Sequence, residues 1–171
     1  MSIVNFFETV EGTWFSQRTT HFLPSHPSQT GQTTLKIAQM SASDVRVTGL
    51  CQQFDADANR VVLVLSVEQA GQSNTYGSGT ATPERKTLLL WLKSDDEQAG
   101  TFISQTDQEA AVMGQYQLEA GSLNLSIRND QFHSDERLWY VNPNLRMRTS
   151  LVKRTDGLQM ASFCSELRRM A

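Results

Sequence analysis

Alternation of apolar and polar residues with a period of two, broken at near-regular intervals by turn signals, runs through most of this chain. "TWFSQRTTHFL" sets Trp14, Ser16, Arg18, Thr20 and Phe22 on one face and Phe15, Gln17, Thr19 and His21 on the other. "SDVRVTGLCQQF" and "NRVVLVLSVEQ" read as strands on either side of a DADAN turn, and "GTFISQTD", "AAVMGQYQLE" and "GSLNLSIRND" read as three more. "KTLLLWLKS" is apolar nearly throughout and short enough for a buried strand, while "TTLKIAQM" fits strand or helix. "LPSHPSQTG" has two prolines and a glycine and reads as a loop; "GQSNTYGSGTATPE" is Gly-rich and weakly patterned; "SDDEQAG" and "EAGS" read as turns, the latter joining a hairpin. About eight to ten short strands in such an order predict an all-β barrel or sandwich. A closed antiparallel barrel either fills its interior with side chains or keeps room for one small ligand.

One segment departs from this pattern. Ile3, Phe6, Phe7 and Val10 have 3-4 spacing, which predicts a short helix that is apolar on one side and ends at Gly12. Such a helix needs a surface to lie against, and the open end of a barrel offers one.

The 171 residues predict a single domain, 1–171, with a substantial core. The net charge of −3 gives no footprint for nucleic acid. Cys51 and Cys164 are far apart and form no CxxC, so a reducing, cytoplasmic setting is expected. The first residues lack the basic n-region and apolar run of a signal peptide, and no stretch approaches the roughly 20 apolar residues of a membrane helix. His21, His26 and His133 have no metal-ligand spacing, and no metal is expected. "YGSGT" has no following lysine or helix and is a poor phosphate loop.

"DERLWYVNPNLRMRTS" concentrates charge and aromatic residues in what otherwise reads as strand. If the strand stays regular, Glu136, Leu138, Tyr140, Asn142, Asn144, Arg146 and Arg148 share one face, and Arg137, Trp139, Val141, Leu145, Met147 and Leu151 the other. Pro143 cannot donate to the ladder and interrupts the register. Parity alone leaves two readings. Polar residues outside is the commonest antiparallel pattern. Yet Asn, Arg and Tyr dominate the polar face, and these residues suit recognition; arginine in particular grips carboxylates with two parallel hydrogen bonds.

"ERLWYVNPNLRMRTS" followed by "ASFCSELRR" resembles the C-terminal signature of the S-type phycobiliprotein lyases, the CpcS/CpeS/CpeU family. "FFETVEGTWFSQRTTHFL" resembles that family's opening, and "VMGQYQLEAGSLNLSIRND" the strand pair before the signature. The resemblance implies a lipocalin-like or fatty-acid-binding-protein-like up-and-down β-barrel with a short N-terminal helix. It implies a lyase that binds a linear tetrapyrrole such as phycocyanobilin as substrate and joins it by a thioether to a cysteine of an apo-phycobiliprotein subunit. Under it, Arg18, Arg146 and Arg148 are candidates for the bilin propionates, Trp14, Trp139 and Tyr140 for stacking on the rings, and Asn142 and Asn144 for polar contacts. Glu136 is the candidate acceptor for pyrrole N–H groups, and Glu136 or Tyr140 would handle the proton. The middle of the chain, "SVEQAGQSNTYGSGTATPE", departs from the family pattern, which bears on bilin choice and on whether the chain works alone, as a homodimer, or with a related subunit. A carrier that binds a bilin or fatty acid without catalysis is the rival from another class.

Overall fold

A computed structural model describes residues 1–170 except 24, 25, 76, 77 and 108; the side chains of 26, 27, 72–75 and 78–83 are also left undescribed. In chain order the elements are α1 (Ile3–Phe6), β1 (Gly12–Leu23), β2 (His26–Met40), α2 (Val45–Gln53), β3 (Val61–Thr75), β4 (Ser78–Lys93), β5 (Ala99–Thr106), β6 (Val112–Glu119), β7 (Ser122–Arg128), β8 (Phe132–Asn142), β9 (Leu145–Arg154) and β10 (Gln159–Arg168). Each strand pairs antiparallel with its sequence neighbours, and β1 pairs with β10 to close a ten-stranded up-and-down barrel. Closure leaves no open sheet edge. The β6–β7 hairpin turns at Ala120 and Gly121, both with positive φ (50° and 80°), the geometry a tight two-residue turn requires.

Inward-facing residues pack the lower half of the barrel. Trp14, Leu35, Leu65, Trp91, Phe102, Tyr116, Leu123 and Leu138 form one buried cluster with Ile3, Phe6, Phe7 and Val10. Tyr116 and Phe102 fit because Gly100 and Gly114 stand beneath them; a Cβ on Gly100 would lie 2.6 Å from the Tyr116 hydroxyl. The N-terminal segment thus plugs one end of the barrel. The helix itself is shorter than its apolar spacing predicts, four residues capped by Ser2, but all four expected apolar side chains are buried. Arg168 ties this plug down by donating to the carbonyls of Glu11 (2.6 Å) and Thr9.

Two sequence-based expectations are corrected. "SDVRVTGLCQQF" is not a strand but α2, with Asp44 accepting from the Arg46 N–H at 3.0 Å as N-cap. Val47, Leu50 and Cys51 have helical spacing and pack on the outer faces of β3, β4 and β5, against Val64, Leu88, Leu90, Leu92 and Ile103. That packing explains the unbroken apolar run in β4: Leu89 and Trp91 point into the barrel, and Leu88, Leu90 and Leu92 lie under α2. The second correction concerns "LPSHPSQTG". From His26 onward it is strand, laddered to β3 through pairs that include Gln29–Thr75 and Gly31–Ser73. Leu23, at the start of that predicted loop, ends β1, and residues 24 and 25 lie outside the described residues. The Gly-rich stretch is mostly the far end of the β3–β4 hairpin.

Candidate functional site

Strand register builds the site as three rungs on the inner face of β1, β10, β9 and β8. The first rung is Ser16, Glu166, Arg146 and Tyr140. The second is Arg18, Cys164, Arg148 and Leu138, and the third is Thr20, Ser162, Ser150 and Glu136. Inward polar residues thus replace apolar ones along one side of the barrel, above the aromatic plug.

Ion pairs run both within the first rung and diagonally between the rungs. Arg146 Nη2 donates to Glu166 Oε2 at 3.0 Å, with both side chains essentially buried. Arg148 Nε lies 2.9 Å from Glu136 Oε1 and 3.5 Å from Glu166 Oε1, so one guanidinium bridges both acids. Burial alone would push the Glu166 carboxyl up, but Arg148 and Arg146 outweigh it and hold the group below the usual glutamate range. Burial likewise opposes the charge on Arg148, and Glu136 and Glu166 overcome it, so its pKa is raised and it stays a cation. Two guanidiniums and two carboxylates therefore balance inside the barrel. Tyr140 Oη, Arg146 Nε, Arg148 Nε and Glu166 Oε1 are buried and make no aligned hydrogen bond to the described residues; for Arg148 Nε and Glu166 Oε1 the contact is one of charge and distance only.

Two connected chambers adjoin this cluster. One, of about 290 Å³, has apolar walls from Leu65, Val67, Leu89, Trp91, Phe102 and Leu125, with Glu136, Arg146 and Arg148 on one side. The other, also about 290 Å³, is lined by Arg18, Arg85, Cys164 and Glu166, and shares Leu35, Gln69 and Arg148 with the first. Apolar walls with a few converging polar groups are the usual make-up of a small-molecule site. A larger, open groove of about 790 Å³ on the barrel's side is lined by Gln115, Gln117, Asn124 and Arg137 and holds none of the paired arginines.

Of the residues singled out in the sequence, Arg18, Glu136, Arg146 and Arg148 meet at these chambers. Trp14 is fully buried beneath them: its indole N–H donates to the Val10 carbonyl at 2.8 Å, and Arg146 and Arg168 lie over its ring at 4.7 and 4.3 Å. Tyr140 packs on Phe6 and Trp14 at the same level. Trp139 faces outward, with Arg137 over its ring at 5.4 Å, because it differs in parity from Glu136. Asn142 and Asn144 sit exposed in the β8–β9 turn, where Asn142 Oδ1 accepts from the Asn144 N–H at 2.9 Å. A register shift between Tyr140 and Asn142 carries the chain out of the inner face there. Sequence reading missed Glu166 altogether. Its alternation with Phe163, Ser165 and Leu167 was the available signal, since it places Cys164 and Glu166 on one face. Cys164 is buried, with its Sγ 2.9 Å from Ser16 Oγ.

Comparison with known proteins agrees with this architecture. The chromophore lyase CpcS/CpeS of Thermosynechococcus vestitus is 36% identical over 172 residues, covering 98% of this chain and 93% of that one. The phycocyanobilin lyase subunit CpcS of Picosynechococcus is 30% identical over 167 residues, covering 95% and 84%. The solved structure of the S-type phycobiliprotein lyase CPES from Guillardia theta, 24% identical, superposes with a TM-score of 0.84 over 100% of this chain and 94% of its own, which establishes the shared fold. The family model described as CpeS-like protein matches residues 2–169, and the chain belongs to that family.

Proposed function

We propose that this protein is a chromophore lyase that holds a linear tetrapyrrole, phycocyanobilin or a close relative, in the barrel and presents it to a cysteine of an apo-phycobiliprotein subunit. The observation that carries the reading is the balanced Glu136–Arg148–Glu166–Arg146 cluster with unmatched buried polar atoms beside an apolar chamber. Buried polar groups are normally satisfied, so such a set marks a place for a polar ligand. A bilin matches it, with an apolar conjugated body, pyrrole N–H donors and two carboxylates. The family's curated members carry lyase names, and the activity is assigned on that membership.

In this reading Glu136, only partly buried, accepts from the pyrrole N–H groups and stabilises the protonated, more electrophilic chromophore. The acceptor thiol adds to the ethylidene group of ring A. A C–S bond forms, the exocyclic double bond is lost, and the thiol proton is delivered to the neighbouring carbon with no change of redox state. The protein fixes the bilin's conformation and supplies a proton relay, for which the partly exposed Glu136 and the buried hydroxyl of Tyr140 are the candidates. Arg18 lines the second chamber as a cation for a propionate, and Arg148, paired with Glu136 and Glu166, adds positive charge to its wall. Arg146, engaged with Glu166 and Trp14, acts behind them as a support.

We place the protein in the cytoplasm with its acceptor, and no helix among the described residues is long and apolar enough to cross a membrane. Phe15, Phe163 and Leu167 are 40, 48 and 53% exposed on the outer face of β1 and β10, a surface suited to a second lyase subunit, identical or related. The test is incubation of the purified protein with phycocyanobilin and an apo-phycobiliprotein subunit. An acid-stable chromophore on the acceptor supports a lyase; binding with no transfer supports a carrier or a partner subunit instead.

A further inference from the structure

The charge balance of the barrel interior has a consequence for how a dianion is held. Arg146 and Arg148 are already neutralised by Glu166 and Glu136. A carboxylate arriving at Arg146 would have to displace Glu166 from a buried ion pair, which is costly, and one arriving at Arg148 would compete with two protein carboxylates at once. A substrate with two carboxylates needs two cations that are easily released. Arg18 is one: it lines the upper chamber and is exposed.

Arg85 is the second. It stands on β4 opposite Gln69 and lines the same chamber as Arg18 and Arg148. Its guanidinium pairs with Glu109, just beyond β5, and the two side chains are 44 and 63% exposed. An ion pair so open to water contributes little and exchanges readily. Arginine in the second role also matches the planar, two-pronged geometry that a carboxylate accepts.

Resting on the bilin-binding reading above, we infer that Arg85 and Arg18 form the carboxylate-binding pair of the chamber they both line, and that Glu109 competes with the substrate for Arg85. Arg146 and Arg148, held by their own carboxylates, then shape and polarise the site while Arg85 and Arg18 set the preference for a diacid. Glu109 acts as a built-in stand-in that the substrate carboxylate replaces.

The experiment is a fluorescence and absorbance titration with phycocyanobilin free acid and, separately, its dimethyl ester. Arg85→Gln is expected to weaken free-acid binding about tenfold and to change ester binding by less than twofold. Glu109→Gln, which removes the competitor, is expected to tighten free-acid binding about threefold and leave the ester unchanged. Equal loss of acid and ester binding in Arg85→Gln would make Arg85 merely structural and overturn the inference, as would wild-type acid affinity in that variant. If the wild-type protein binds neither form, the bilin reading itself fails; if it binds both while the two variants leave the acid-to-ester ratio unchanged, only the assignment of Arg85 fails.

Discussion

Glu166→Gln tests the buried ion cluster most sharply. Glu166 is 0% exposed and meets Arg146 at 3.0 Å and Arg148 at 3.5 Å. The substitution keeps shape and one hydrogen-bond acceptor but leaves a buried cation uncompensated. Arg148 retains Glu136, so the loss falls mainly on Arg146, whose remaining support is the Trp14 ring at 4.7 Å. Breaking a buried pair costs about 3–5 kcal/mol, and the partial compensation argues for the lower end, about 3 kcal/mol. For a chain of 171 residues that lowers Tm by roughly 6–12 °C. Because the Glu166 carboxyl titrates below its ordinary value in the folded state, its stabilisation is complete above the ordinary glutamate value of 4.5 and is lost as pH falls through the lower folded value. Scanning calorimetry from pH 7 downward should therefore show the gap between wild type and variant closing below pH 4.5. A gap under about 2 °C at pH 7, or one that persists unchanged in acid, would refute the argument.

Arg146→Ala is expected to destabilise the fold by about 3 kcal/mol, since it leaves Glu166 with only Arg148 at 3.5 Å and uncovers Trp14; a urea midpoint equal to wild type would contradict this. Glu136→Gln should leave bilin affinity within about threefold, an allowance of under 1 kcal/mol, but slow transfer to the acceptor, and unchanged single-turnover transfer would remove Glu136 from the chemistry. Gly100→Ala would bring a Cβ within 2.1 Å of the Leu92 carbonyl oxygen, and the backbone must shift at a cost of about 1–3 kcal/mol, read as a lowered urea midpoint. Leu50→Ala empties the contact between α2 and β4 and should cost about 2–5 kcal/mol, with amide exchange rising in α2.

The succession of antiparallel strands was legible because most of them alternate, which left barrel or sandwich open until the family resemblance chose the barrel, and the plug could be read from Ile3, Phe6, Phe7 and Val10. The segment of α2 was not, because Val45, Val47 and Thr48 favour strand and only the contact with β3, β4 and β5 selects the helix. At the site, parity from Glu136 correctly grouped Arg146 and Arg148, yet it could not say whether that face was lumen or solvent. Only at the β8–β9 turn did the parity count fail, since the irregularity before Pro143 swings Asn142 and Asn144 out of the barrel. Glu166 reaches Arg146 through the adjacent β9–β10 pairing, whereas Arg85 on β4 shares a chamber with Arg18 and Arg148 only across the barrel, a long-range meeting with no local signature.

In the proposed function the chromophore occupies the barrel interior rather than the larger groove on its side. Titration of phycocyanobilin into wild type, Val67→Trp and Gln117→Trp decides between them. Val67 lines the interior chamber and is half-buried, whereas Gln117 lines the outer groove and is exposed. Interior binding predicts that Val67→Trp, shown folded by circular dichroism, loses the bound spectrum while Gln117→Trp titrates as wild type; the reverse pattern would contradict the claim.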